Sequence, residues 1–107
     1  MNATIKYIVD KILGDIKLSD EEISILYSNI SIYKVYDNDE LKKLIEHCIK
    51  KLGNNCNLNW IDVSNITDMH EIFFDSKFNG DISKWDVSNV TDMSYMFWSS
   101  KFNGDIS

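Results

Sequence analysis

Apolar positions follow two regimes along this chain, and the change comes near residue 53. Before it the spacing is helical: Ile5, Ile8, Val9, Ile12 and Leu13 make one stripe and predict a helix close to the start. Ser19 and Glu22 form a capping-box pattern that opens a second helix through Ile23, Leu26 and Tyr27. Leu41, Leu44, Ile45, Cys48, Ile49 and Leu52 face one way on a third, with Asp37 or Asn38 as its cap and Gly53 as its stop.

Beyond residue 53 the pattern becomes a tandem repeat. A shift of 24 residues lays 61–83 over 85–107 with 16 identities in 23 positions, including DVSN at 62–65 and 86–89, TDM at 67–69 and 91–93, and SKFNGDIS at 76–83 and 100–107. A degraded copy precedes them, aligning Leu58 with Ile82, so the array starts near residue 54. Within a unit, Leu58, Ile61, Val63 and Asn65, like Ile82, Trp85, Val87 and Asn89, give an LxxLxLxN spacing whose last part alternates as a short strand does. Thr67-Asp68 and Thr91-Asp92 then cap a stripe of helical period, Met69, Ile72 and Phe73 or Met93, Met96 and Phe97. Asn79-Gly80 and Asn103-Gly104 supply a dipeptide suited to positive φ and a return turn.

A single unit of this kind cannot bury its apolar face alone, so neighbours must stack, Trp85 over Ile61, Phe97 over Phe73 and Phe102 over Phe78. The expected fold class is therefore α/β: a leucine-rich-repeat-like, right-handed solenoid of strand-helix-turn units behind an α-helical N-terminal cap, with Asn65 and Asn89 bonding adjacent turns as a ladder. A parallel β-helix is the alternative, disfavoured by the helix-period stripe. The expected organisation is a helical segment of unknown role at 1–36, a capping helix at 37–53 and about 2.3 repeat units at 54–107. The first two helices either extend the cap or form a small docking module. The chain stops at Ile106-Ser107 with nothing polar over Phe97 and Phe102, so this end is expected to meet further repeats or a partner chain.

The strings DVSNVTDMSYMF and KFNGDISKWDVSN resemble the repeats of BspA-like leucine-rich-repeat surface proteins of anaerobic gut and oral bacteria and mycoplasmas. The preceding DELKKLIEHCIKKLGNNCNLNWIDVSN resembles the lead-in to such arrays, so the likeness spans residues 37–107. The resemblance implies an N-terminal fragment of a surface-exposed or secreted repeat protein used in adhesion and protein interaction, with no catalytic site.

Composition narrows the chemistry. The 107 residues carry 11 basic and 17 acidic side chains, a net charge of −6, and every basic residue is Lys. Without an arginine fork or a positive surface, nucleic acid is not an expected partner. The opening segment is interrupted by Lys6, Asp10, Lys11, Asp15 and Lys17, so it shows no signal-peptide core, and no run is long enough to span a membrane. The resemblance places the protein at the cell surface or outside the cell, whereas the missing signal leaves a cytoplasmic location open. Cys48 and Cys56 read as buried thiols, with a disulfide between them a matter of geometry.

No catalytic or cofactor motif occurs, and enzymatic activity is not expected. His47, Cys48, Cys56 and His70 have the wrong spacing for zinc. Asp62 with Asp86 and Asp81 with Asp105 could stack as calcium ligands, but no calcium-loop pattern accompanies them, and a solvated acidic face is the better reading. The candidate binding residues alternate with the core on the strand positions: Trp60, Asp62 and Ser64 in one unit, Lys84, Asp86 and Ser88 in the next. They would line the concave face of a horseshoe. Trp60, at the place of Lys84, is either an exposed anchor or a side chain packed under the cap. The expected function is a non-catalytic interaction module for a protein or host-surface ligand; the alternatives are a structural cap and spacer or an intracellular scaffold.

Overall fold

A computed structural model describes residues 2–104. Three helices, α1 (Ala3–Leu13), α2 (Asp20–Tyr27) and α3 (Asn38–Leu52), are joined by two short strands, β1 (Tyr33–Lys34) between α2 and α3 and β2 (Ile61–Asp62) in the first repeat unit. Local chemistry sets each helix end. Asn2 accepts from the amides of Thr4 and Ile5 to open α1. Ser19 and Glu22 close a reciprocal capping box on α2, and Asp37 accepts from Glu40 N–H at 2.8 Å to open α3. Gly53 ends α3 at φ 93°, a conformation in which a Cβ is strained.

α1 packs on both α2 and α3, burying Ile5, Ile8, Val9 and Ile12. Leu13 is exposed at the helix end. The same core continues without a break through Leu41, Leu44, Ile45 and Cys48 into Leu58, Trp60, Ile61, Phe73, Phe78 and Trp85. The first two helices thus share the core of the repeat segment.

Strand β1 pairs in parallel with β2, Tyr33 opposite Ile61 and Lys34 opposite Asp62. Parallel bridges between Asn57 and Asp81 and between Asp68 and Asp92 carry the same direction into the repeats. The two units are joined at a separation of 23–25 residues: Met69, Glu71, Phe73 and Asp75 donate to the carbonyls of Asp92, Ser94, Met96 and Trp98, and Thr91 donates to Thr67. The aromatic rings follow that register, Phe97 lying over Phe73 at 5.6 Å and Phe102 over Phe78 at 5.9 Å, nearly parallel in both pairs.

Inside each unit the backbone departs from the expected strand-helix-turn order. Residues 70–75 and 94–99 are successive turns and not a helix. Glu71 and Asp75, then Tyr95 and Ser99 one period later, adopt left-handed φ between 52° and 59°, which no α-helix tolerates. Two tight turns bring side chains inward at the spacing that one helical turn would, and this is why the apolar stripe read as helix. Among the described residues the second unit contains no strand at 85–87.

The Asn-Gly turn is also built differently. Gly80 is not at positive φ. Glycine is required there because a Cβ would collide with the Cys56 main-chain carbonyl. The ladder between adjacent turns expected of Asn65 and Asn89 exists at one rung, where the Asn89 carboxamide donates to the Ser64 carbonyl at 2.7 Å, although both asparagines are exposed. The buried one is Asn59. Its side-chain oxygen accepts from Lys84 N–H at 2.9 Å and its main-chain oxygen from Ser31 N–H at 2.8 Å, so it ties three successive levels together.

Candidate binding surface

An Asp-x-Ser motif recurs at 62–64, 81–83, 86–88, 92–94 and 105–107, and each of the four copies among the described residues closes on itself. The aspartate oxygen accepts from the main-chain N–H two residues on and from the serine hydroxyl, at 2.6–2.7 Å for the hydroxyl in all four. These bonds favour the ionised acid. The Ser88 hydroxyl holds the Asp86 carboxyl below its ordinary range, and Ser94 does the same for Asp92. Asp81 is lowered by Ser83 first and then by Asn59.

This chemistry changes the standing of the strand-face residues. Asp62 and Ser64 are half-buried, bonded to each other, with the Lys34 ammonium 3.9 Å from the second Asp62 oxygen. Asp86 and Ser88 are exposed but engaged in the same local turn, and Lys84 is exposed. Trp60 must be corrected: it is 0% exposed, its indole N–H donates to the Asn57 carbonyl at 2.7 Å, and its ring meets Tyr33 edge-on at 6.3 Å. It therefore packs under β1 and offers nothing to a ligand. Asp105, paired with Asp81 in the calcium expectation, lies outside the described residues, as do Ile106 and Ser107. Among the described residues no three His, Cys, Asp or Glu side chains converge as a metal site would require.

Cys48 and Cys56 are free and buried. Burial pushes the Cys48 thiol well above the ordinary thiol range and the Cys56 thiol up to about 12. His47 bonds the Lys43 carbonyl along its own helix at 2.7 Å, and His70 lies 3.5 Å from Glu71. These groups form no nucleophile pair. An open cleft of about 460 Å³ runs between the start of α3 and Asp68, lined by Tyr36, Asp37, Asn38, Asp39 and Thr67. It is polar and acidic, and Asp37 in it already serves as a helix cap.

Exposed apolar side chains occur on the helical half, at Tyr7, Ile16, Ile30 and Tyr36, and on the turn side of the repeats. Phe74 and Trp98 occupy equivalent positions one period apart and are 41% and 59% exposed; Tyr95, 61% exposed, meets Trp98 edge-on at 6.3 Å and His70 edge-on at 6.1 Å. Met93 is also exposed. Each aromatic sits just off the inward stripe, Phe74 after Phe73 and Trp98 after Phe97, so a large ring falls where the period leaves it outside the core. That offset is legible in the repeat alignment, where Phe74 and Trp98 share one position.

The repeat register, with its helical lead-in, matches a family described as Mycoplasma protein of unknown function, DUF285, over residues 22–107. The chain belongs to this family. DUF285 membership agrees with a BspA-like repeat protein without singling one out. The match begins inside α2, takes in α3 and both repeat units, and leaves α1 before it. No curated protein and no solved structure matches this DUF285 chain.

Proposed function

We propose that this DUF285 protein is a non-catalytic interaction module of the BspA-like kind, a leucine-rich-repeat-like solenoid with a helical cap, working at a bacterial cell surface on a protein or host-surface ligand. The observation that carries the reading is the exposed pair of Tyr95 and Trp98, in edge-on contact, with Phe74 exposed at the position equivalent to Trp98 one period before, all on a stack of hydrogen-bonded turns. Large rings left in water on a rigid scaffold are the side chains from which interface hot spots are made. The rim is acidic or polar, with Asp75, Asp92 and Ser94 close in sequence. The Asp-x-Ser face serves the scaffold, since its carboxylates and hydroxyls satisfy each other.

The test is binding of fluorescently labelled protein to host-cell surfaces. Tyr95→Ser with Trp98→Ser should lower binding by about tenfold, the loss of one or two hot-spot residues. Lys84→Glu with Asp86→Lys should change it little. Undiminished binding by the first variant would refute the aromatic surface.

A further inference from the structure

A cleft and an aromatic pair run into one another along the seam between the cap and the repeats. The cleft, about 460 Å³, opens between the start of α3 and Asp68, and three of its lining residues are acids, Asp37, Asp39 and Asp68. Tyr36, 64% exposed, stands in its wall. Asn38, which lines the same cleft, donates to the His70 carbonyl at 3.0 Å, and the His70 ring meets Tyr95 edge-on at 6.1 Å. Tyr95 in turn meets Trp98 at 6.3 Å. Those two ring-to-ring steps cover about the reach of four residues of an extended chain, at roughly 3.3 Å each.

The charge along this path has one sign. No lysine lines the cleft, and the sequence holds none from 52 to 76 or from 85 to 100, the segments that carry Asp68, Glu71, Asp75 and Asp92. Lys42, one turn beyond Asn38 on α3, is half-buried and outside the lining. The amino end of α3 supplies about half a positive charge, which three carboxylates outweigh. Asp39 is exposed and has no hydrogen-bond or ion partner among the described residues. The Trp98 indole N–H is likewise unbonded among them, whereas Trp60 and Trp85 donate theirs to main-chain carbonyls. Carboxylates attract a cation, an exposed aromatic face holds it by its π-electrons, and a free indole N–H can donate to a peptide carbonyl.

We propose that the cleft and the Tyr95–Trp98 pair form one groove for an extended, lysine- or arginine-bearing segment of a partner protein. One cationic side chain enters beside Asp39 and Asp68. Another, about four residues along, lies on the Trp98 ring, while the indole N–H donates to the segment's main chain. The groove includes the aromatic surface proposed above as the binding site, so its partner's chemistry rests on that reading. Charge complementarity selects this occupant. A neutral apolar segment would cover the carboxylates of the cleft without pairing them, nucleic acid would be repelled, and a second copy of this chain meets the groove with a net charge of −6.

The probe is a peptide of four Lys-Ser repeats, titrated into the isotope-labelled whole protein and followed by NMR. Saturable shifts are expected at the amides of Asp39, Asp68, His70 and Tyr95 and at the Trp98 indole N–H. Asp39→Lys and Trp98→Ser should each weaken binding by about tenfold, with the helical circular dichroism unchanged. Glu21→Lys, the same change of charge at an exposed site on α2, should alter it by less than about twofold. No saturable shift, equal shifts from the matching Glu-Ser peptide, or equal weakening by Glu21→Lys would each overturn the groove. Equal affinity for tetramethylammonium alone would also overturn it, because the site would then be one for small cations. Loss of cell binding in Tyr95→Ser with Trp98→Ser, beside a peptide that causes no shift, overturns the basic partner and spares the aromatic surface. Cell binding that survives those substitutions, beside peptide binding that needs Trp98, removes the host-surface role and supports the groove.

Discussion

The carboxamide nitrogen of Asn38 stands 3.0 Å from the main-chain oxygen of His70 and 3.1 Å from that of Asp68. One period on, the equivalent oxygens of Ser94 and Asp92 are met by the main-chain N–H groups of Glu71 and Met69. Asn38 therefore imitates the rung that would precede the first unit, and the cap is joined to the array by a hydrogen-bond surrogate as well as by its core. Asn38→Ala should lower stability by about 1–2 kcal/mol, the usual cost of stranding partly buried acceptors. Asn38→Asp should cost more, because a carboxylate would face two carbonyl oxygens. Denaturant unfolding of the two variants checks the order.

Gly80→Ala tests the close approach between successive levels. Its Cβ would fall inside the Cys56 carbonyl, and the obstacle is backbone, which cannot swing aside. A loss of about 3 kcal/mol or more is expected, in the range reserved for severe steric faults. At Gly104 the nearest atoms belong to the Phe102 ring, which can move, so Gly104→Ala should be markedly milder. Thermal melts of the pair will show whether the asymmetry holds.

Trp60→Lys should unfold the protein or cost about 4 kcal/mol or more, since it removes a fully buried ring and places an ammonium in the core. Lys84→Trp, at the equivalent position of the next unit, should be tolerated because Lys84 is exposed. Circular dichroism on both separates a packing tryptophan from a surface one.

The helical half was legible because its signals are local. The Ser19–Glu22 box, the Asp37 cap and the Gly53 stop each involve residues within one turn of one another. The 24-residue register was equally plain and already placed Phe97 over Phe73. What escaped depends on partners far along the chain. Strand β1 is two residues long and pairs Tyr33 with Ile61 at a separation of 28, outside the period, so no repeat search finds it. Trp60 and Ile61 are both buried although adjacent, because β1 and the cap cover the side that a simple alternation leaves to solvent. The helix expected at Met69, Ile72 and Phe73 failed because left-handed Glu71 and Asp75 reproduce its spacing with turns.

The Asp-x-Ser turns make a pH prediction. The depressed acids Asp86 and Asp92 favour the folded chain at neutral pH, and that contribution disappears as pH falls from the ordinary carboxyl range through their lowered values. Carboxyl NMR titration should find both below 3.8, the ordinary aspartate value. Ser88→Ala should raise Asp86 alone, and Ser94→Ala should raise Asp92 alone.

The thiols predict the opposite limb. Cys48 and Cys56 hold their protons in the folded chain because burial disfavours the thiolate, whereas an unfolded thiol ionises near 9.0. Above that pH the unfolded chain binds fewer protons than the folded one, so stability must fall as pH rises. For Cys56 the decline runs from about 9 until its own value of about 12 is reached. Cys56→Ala should flatten the alkaline slope even if it lowers stability at neutral pH, a separation that a mere loss of packing would not produce. The same burial makes both thiols slow toward a maleimide at pH 8 in the native protein and fast after denaturation. Rapid native labelling of either cysteine would show that the core between α3 and the first unit opens far more readily than its packing indicates.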